Sequence, residues 1–435
     1  MISPMAAGAA GFLLLFLLLF TGMPVGFVMA LTGIAGFGAL VSFDAALGLA
    51  VRDIFDIFGS YNLTVIPLFI FMGQVAFHAG ISTRLFNVAF RFMGHLPGGM
   101  AIATTFACAG FSAICGSTNA TCATMASVTI PEMRRYGYKD SMASGVVAAG
   151  GSLGILVPPS VIFIIYGIMT EQSIGHLFMA GILPGLLLTL LFALAAAIWA
   201  LLRPDVAPRG PKSSARERLE SLSGLVETLL LFALVMGGLF FGLFTPTEAG
   251  GVGAFGTLVI AVARKNIDLS GILTALTETS RISCMILMIV AGATIFGHFL
   301  AITRLPFEIA ETVTQLNLPA YAIIGLIVLV YLIGGCFIDS LALIMLTVPI
   351  FYPVVTQLGF DPMWFGVVIV LVTQIGVITP PVGINVYVVR SVTPDIPLSV
   401  IFKGVLPLLA ALALATLLVL FVPVISLFLP GLMAA

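Results

Sequence analysis

Apolar residues in this chain come in continuous runs, such as GFLLLFLLLF over 11–20, without the strict alternation of a strand or the one-faced stripe of a surface helix. A helix needs roughly 20 apolar residues to cross a bilayer. Between charged clusters the sequence divides into stretches of about that length, which predict crossings near 9–25, 27–43, 62–81, 141–169, 176–202, 225–244, 250–263, 282–302, 363–389 and 404–428. In lipid the backbone can be satisfied only by helices or a closed barrel. Barrel strands alternate over roughly ten residues, so continuous runs predict helices.

Two further stretches, 98–131 and 318–358, fit an alternating topology only if each crosses twice or turns back inside the membrane. Each has small or polar residues at its middle, Gly116-Ser117-Thr118-Asn119 in the first and Gly334-Gly335 with Asp339-Ser340 in the second. Both read as re-entrant helical hairpins. Non-helical backbone at membrane depth is tolerated only where it is packed in protein or lines a cavity, which makes the tips candidate site walls.

Composition agrees with the pattern. Of 435 residues 60% are apolar and 8% charged, with a mean hydropathy of +1.23, against about 25% charged in soluble proteins. The reading is an all-α integral membrane protein. A net charge of −1 leaves no basic excess for nucleic acid. No Lys or Arg precedes Arg52, so the first run lacks the positive flank of a cleaved signal and is expected to be a retained span.

The basic residues orient the bundle. The polar segment from Arg203 to Gly224 carries Arg203, Arg209, Lys212, Arg216 and Arg218 and is placed in the cytoplasm. Alternating outward from it puts fifteen of the seventeen basic residues on that side. Arg52 and Arg304 fall outside, and so do both termini. Asp339 is the one charged side chain that this scheme cannot move to a membrane edge, and an intramembrane carboxylate is a functional candidate by default. Its alternative is a hydrogen-bonding role within the hairpin tip.

An internal repeat organises the chain. Sliding the sequence along itself until Pro158-Pro159 falls on Pro380-Pro381 also brings Pro131 onto Pro353, Gly137 onto Gly359, Gly154 onto Gly376, and Ser117 onto Asp339. The expected division is a first repeat over 1–202, a cytoplasmic linker over 203–224 and a second repeat over 225–435. Five crossings and one hairpin per half invert the second repeat relative to the first. That is the arrangement of many secondary transporters, whose sites lie near the midplane in discontinuous helices.

The two Pro-Pro pairs interrupt the crossings at 141–169 and 363–389. Proline lacks an N–H and pushes its predecessor out of the α region, so each pair predicts two half-helices. The preceding half leaves free carbonyls, suited to a cation such as Na⁺; the following half presents free N–H groups, suited to a carboxylate. A satisfied proline kink is the structural alternative, and repeat-related breaks paired with polar hairpins argue against it. The candidate Na⁺ ligands are Ser117, Asn119, Gly154 and Val157 at one site and Gly335, Asp339, Gly376 and Thr379 at the other. The candidate substrate residues are Ser117, Thr118, Asn119, Pro159, Ser160, Ser340, Pro381, Gly383 and Asn385.

Other chemistry is thin. Cys108, Cys115 and Cys122 lie in an apolar small-residue stretch with no adjacent His and read as packing. His78, His95, His176 and His298 fall near span ends, and Glu132 and Glu248 near loops. Gly150-Gly-Ser-Leu-Gly154 is not a nucleotide-binding loop, no enzyme constellation emerges, and no cofactor is implied.

GSTNATCATMASVTIPEM (116–133), Tyr136-Gly-Tyr138, LGILVPPSVIFIIYG (153–167), FTPTEAG (244–250) and IGVITPPVGINVYVV (375–389) together resemble the large membrane subunit of tripartite ATP-independent periplasmic (TRAP) transporters. The likeness covers essentially the whole chain. It implies an inverted-repeat fold, an elevator mechanism, and Na⁺-coupled uptake of an organic acid across a bacterial inner membrane. It also implies a periplasmic substrate-binding protein and a small four-helix membrane subunit, expected here as a separate polypeptide. The family's hairpin and Pro-Pro positions match Ser117, Asn119, Gly154, Pro158, Pro159, Asp339, Thr379, Pro380, Pro381 and Gly383. The rival transporter readings are a stand-alone ion-coupled carboxylate transporter or exchanger and a proton-coupled variant. A membrane scaffold or receptor without translocation is the rival from another class.

Overall fold

A computed structural model describes residues 4–315 and 318–433, and among these residues the ordered elements are all helices. The hairpins and broken spans recur in both halves of the chain. Under the shift that superimposes the Pro-Pro pairs, the hairpin arm Thr118–Arg135 lands on the span of Ser340–Gln357, and Gly99–Cys115 lands almost in register on Ala320–Gly335. The broken spans correspond as well: Asp140–Gly151 and Val161–Thr170 in the first repeat, Pro362–Ile378 and Ile384–Val392 in the second. Both Pro–Pro peptide bonds are cis.

Three spans differ from the hydropathy reading. The crossing expected at 62–81 is the second limb of a pair, Phe43–Phe58 and Asn62–His78, bent by 56°. The first limb has Asp44, Arg52, Asp53 and Asp56 among its apolar residues, which keeps its mean hydropathy low and hides it from a window search. Its repeat counterpart is unbroken: the crossing expected at 282–302 is the last part of a 35-residue helix, Leu269–Thr303, capped by Asp268 at one end and closed by Arg304 in the left-handed region at the other. The crossing expected at 404–428 runs Leu398–Phe421, stops before Pro423, and is followed by a separate helix Val424–Met433.

Packing cuts across the repeats. One group joins the first four helices, Pro4–Phe20 to Val65–His78, to Ser223–Phe240, Pro246–Ala263 and Leu269–Thr303. The other joins the first hairpin, the first broken span and Ile174–Leu202 to the second hairpin, the second broken span and the last two helices. Two short amphipathic helices, Ile81–Met93 and Leu305–Gln315, bridge the groups at repeat-related positions.

Apolar burial drives no helix association in lipid, so close approach of backbones does. Within the first group, a Cβ on Gly292 would lie 2.0 Å from the carbonyl oxygen of Gly26. Within the second, a Cβ on Gly404 would lie 1.9 Å from the carbonyl oxygen of Ser141, and one on Gly145 would lie 2.3 Å from the carbonyl carbon of Gly404. The second contact clamps the first half of one broken span to the last long helix.

Ion pairs tie the loop ends. Glu227 is 5% exposed and sits between Arg84 at 3.1 Å and Arg264 at 2.5 Å, fixing the bridging helix Ile81–Met93 to two helices of the first group. The two arginines neutralise a carboxylate that its burial would otherwise leave uncompensated. The linker over 203–224 lies against the end of the bridging helix, Gly210 N–H donating to Gly94 O at 2.9 Å, and against the second group, Lys139 N–H donating to Val206 O at 3.0 Å. Its helix Ala215–Ser221 reaches the bridging helix through Arg91 and Glu217 at 3.3 Å. Arg134 pairs with Asp140 at 2.6 Å and with Asp395, whose carboxyl it holds below the usual carboxylate range.

The glycine contact gives a direct stability test. Gly404→Ala is expected to lose about 1–3 kcal/mol, the range for overpacking a filled interior, and to lower the thermal midpoint of the purified protein. Gly431→Ala, where a Cβ meets nothing within 4 Å, is the control and is expected to leave the midpoint unchanged. Equal midpoints for both variants would contradict the packing described.

Candidate functional site

At the first hairpin tip the chain turns because Gly116 adopts the left-handed region (φ 61°) and Ser117 is extended. Ser117 then caps the second arm, its hydroxyl oxygen accepting the Ala120 N–H at 3.4 Å. At the second tip Asp339 takes the same place, its carboxylate accepting the Leu341 N–H at 3.0 Å. The repeat therefore puts a hydroxyl cap on one tip and a carboxyl cap on the other.

Each tip docks on its own break. A Cβ on Gly154 would lie 2.5 Å from the Ser117 carbonyl oxygen, and one on Gly376 would lie 2.3 Å from the Gly335 carbonyl carbon and 2.5 Å from its oxygen. At both junctions a hairpin carbonyl faces a glycine of the broken span, an approach that any side chain would prevent. Gly116 is fitted in the same way against the carbonyl oxygen of Pro159, 2.5 Å from an ideal Cβ.

A cavity of about 310 Å³ opens between the two tips. Its walls come from both repeats at equivalent positions: Ser117 with Asp339, Thr118 with Ser340, Ile155 with Val377, and Ile162 with Ile384. The opposite wall belongs to the other packing group and consists of Ile70 and Gln74 from Val65–His78 with Ile282, Met285 and Ile286 from Leu269–Thr303. The cavity thus lies between the two groups of helices.

Of the residues singled out in the sequence, Ser117, Thr118, Asn119, Asp339, Ser340 and Asn385 line this cavity together. The others stand behind the tips. Ser160 donates its hydroxyl to the Ile155 carbonyl at 2.6 Å, and Thr379 donates to Ile375 at 2.5 Å. These two side chains satisfy carbonyls freed where the half-helices end. Val157 packs toward Gly185 of Ile174–Leu202. Gly383 takes the left-handed region at the start of Ile384–Val392. Pro159 is buried, whereas Pro381 is exposed, so the two breaks differ in access.

Three polar atoms in the cavity wall are buried and have no hydrogen-bond partner among the described residues: the hydroxyls of Thr118 and Ser340 and the side-chain oxygen of Asn385. The Asn385 amide nitrogen is already committed, donating to the Ala148 carbonyl at 2.9 Å. Buried polar groups are nearly always paired with protein, water or ligand. Three at one cavity wall mark a surface made to receive a polar group. Among the lining residues Asp339 is the one ionisable carboxylate, and there is no Lys, Arg or His.

The sequence reading did not anticipate the far wall. Gln74 carried a signal: it is the lone amide in the apolar helix VIPLFIFMGQVAFH. Ile70, Ile282, Met285 and Ile286 carried none, since in a membrane bundle a cavity-facing isoleucine looks like a lipid-facing one. The cysteines are free, and those in the first hairpin are buried. Cys122 lies against Gly151, where a Cβ would meet its sulfur at 1.9 Å, and Cys115 joins the cavity wall.

The family model of the tripartite ATP-independent periplasmic transporter, DctM component, matches residues 12–425. The chain is 38% identical to the C4-dicarboxylate TRAP transporter large permease protein DctM of Pseudomonas aeruginosa, over 90% of this chain and 91% of the relative. It is 36% identical to the sialic acid TRAP transporter large permease protein SiaM of Vibrio cholerae (95% and 96% covered). It is 31% identical to the ectoine/5-hydroxyectoine large permease protein UehC of Ruegeria pomeroyi (96% and 97% covered). Among solved structures, the YdaH transporter of Alcanivorax borkumensis superposes with a TM-score of 0.63 at 16% identity, covering 90% of this chain and 89% of that one, a likeness of fold. With a family model spanning nearly the whole chain and large permeases as relatives at this identity, the protein belongs to the DctM component family of TRAP transporters and is a multi-pass large permease subunit.

Proposed function

We propose that this subunit carries an organic acid and Na⁺ together, the second packing group sliding as a body along the first in the manner of an elevator. The observation that supports this most is the cavity itself: its tips and breaks belong to one group of helices and its far wall to the other. Displacing one group against the other would carry the tips away from the far wall without unfolding either.

The carbonyls of Ser117 and Gly335, each held against a glycine of its break, fit the hard-oxygen preference of Na⁺. Gly154 and Val157 complete one site; Asp339, Gly376 and Thr379 complete the other, and Asn119 stands beside the first. The substrate carboxylate sits between the tips, where the hydroxyls of Thr118 and Ser340 are free to donate, and the Asn385 oxygen beside them is an acceptor. Ser117 takes part through its cap. Pro159, Ser160, Pro381 and Gly383 hold the backbone that carries these groups.

A soluble periplasmic binding protein delivers the substrate, and a small four-helix membrane subunit completes the fixed body. The complex stands in a bacterial inner membrane with both termini of this chain outside. The inverted halves over 1–202 and 225–435, joined by the linker over 203–224, supply equivalent gates to the two sides.

In proteoliposomes holding the complete transporter and its binding protein, uptake is expected to require an inward Na⁺ gradient. Uptake driven equally by a pH gradient in Na⁺-free buffer would contradict Na⁺ coupling and favour the proton-coupled variant; uptake independent of the binding protein would favour a stand-alone carrier. Gly376→Ala forces the second tip off its break and is expected to raise the Na⁺ concentration for half-maximal uptake at least tenfold. An unchanged Na⁺ dependence would remove that junction from the ion site.

A further inference from the structure

The two tips are not electrically equivalent, and the difference bears on what the cavity accepts. A helix N-terminus carries about half a positive charge and favours an anion. At the first tip the arm Thr118–Arg135 is capped by neutral Ser117, and the Thr118 hydroxyl, buried and unpaired, lines the cavity beside it. At the second tip the arm Ser340–Gln357 is capped by Asp339, whose carboxyl group already occupies the Leu341 N–H and, ionised as the proposed Na⁺ site requires, sets a negative charge on that helix end. No Lys, Arg or His among the lining residues offers a second seat for an anion.

The far wall points the same way. It presents Ile70, Ile282, Met285 and Ile286, with Gln74 as its one polar side chain. A second carboxylate directed there would be desolvated against hydrocarbon, and burying an unpaired charge is prohibitive. The volume of about 310 Å³ is near the small end of the range of roughly 300–1,000 Å³ for ligand pockets.

We infer that the substrate is a small monocarboxylate with an apolar body, its carboxylate at the first hairpin tip and its body against Ile282, Met285 and Ile286. This inference rests on the proposed Na⁺-coupled reading of the cavity. The names of the relatives span dicarboxylates, a sialic acid and ectoine, so membership of the family leaves this choice to the individual cavity.

The test is binding to the purified complex of this chain with its small membrane subunit, by calorimetry and by shift of the thermal midpoint, in Na⁺ and in K⁺ buffer. The probes are 4-methylpentanoate, phenylacetate, succinate and N-acetylneuraminate. The two apolar monocarboxylates are expected to bind at least tenfold more tightly than succinate or N-acetylneuraminate, in Na⁺ only. Met285→Gln should weaken them about tenfold while leaving stabilisation by Na⁺ alone unchanged. Gln74→Arg, which adds the missing cation, should shift the succinate-to-monocarboxylate affinity ratio at least tenfold toward succinate. Na⁺-dependent binding of succinate or N-acetylneuraminate at equal or higher affinity would overturn the monocarboxylate assignment and leave the transporter reading standing. If none of the four bound in either buffer, the monocarboxylate assignment would fall, and Na⁺-driven uptake in proteoliposomes would decide the transporter reading separately.

Discussion

The fold turns on one constraint: a peptide group inside a bilayer must find a hydrogen-bond partner in the protein or face a cavity that supplies one. Two hairpin tips and two Pro-Pro breaks violate helical pairing in the middle of the bundle, and the structure around them resolves each violation locally. Ser160 and Thr379 donate to carbonyls left over where the half-helices end. Ser117 and Asp339 cap the arms that leave the tips. Glycine at 154 and 376 lets each tip lie on its break with backbone against backbone. What stays unpaired, the hydroxyls of Thr118 and Ser340 and the Asn385 oxygen, is gathered at one cavity.

The same constraint shapes the larger architecture. Each repeat contributes helices to both packing groups, so neither half of the sequence is a structural unit by itself. Within a group, helices meet through glycine pairs such as Gly26 with Gly292 and Gly145 with Gly404, which set fixed distances. Between the groups lies a cavity with an apolar far wall. The bridging helix Ile81–Met93 is tethered to the first group through Arg84 and Glu227, and its repeat partner Leu305–Gln315 has Pro306 where the first has Arg84. The inverted repeat thus matches in its hairpins and breaks and differs in its charges, at the tethers as at the tips.

Much of this was legible in the sequence because membrane insertion leaves coarse marks. Length, apolar runs and the scarcity of charge suffice for the class. Two Pro-Pro pairs, Pro158-Pro159 and Pro380-Pro381, suffice for the repeat and the breaks, because proline acts on its own backbone wherever it falls. Six of the polar candidates meet at the cavity for a related reason: a polar side chain in an apolar run has few places to go. The far wall was not legible, since Ile282 and Met285 are indistinguishable in sequence from residues that face lipid. The bent limb Phe43–Phe58 was hidden for the opposite reason, charges that look like a loop. Nor does matching one half of the sequence to the other show that the moving and fixed parts each draw on both halves; that follows from packing alone.

Movement of one packing group past the other as a body is the centre of the proposed mechanism. It is tested most directly by paired spin labels in the membrane-embedded complex, on a Cys284→Ser background that removes the exposed cysteine. One pair, Leu230→Cys with Leu190→Cys, spans the two groups; a second pair, Leu190→Cys with Leu417→Cys, lies within one, and all three sites are exposed leucines. Saturating Na⁺ with substrate is expected to shift or split the distance distribution of the first pair and to leave that of the second unchanged. A first pair that keeps one distance in every condition, or a second pair that changes along with it, would contradict the account.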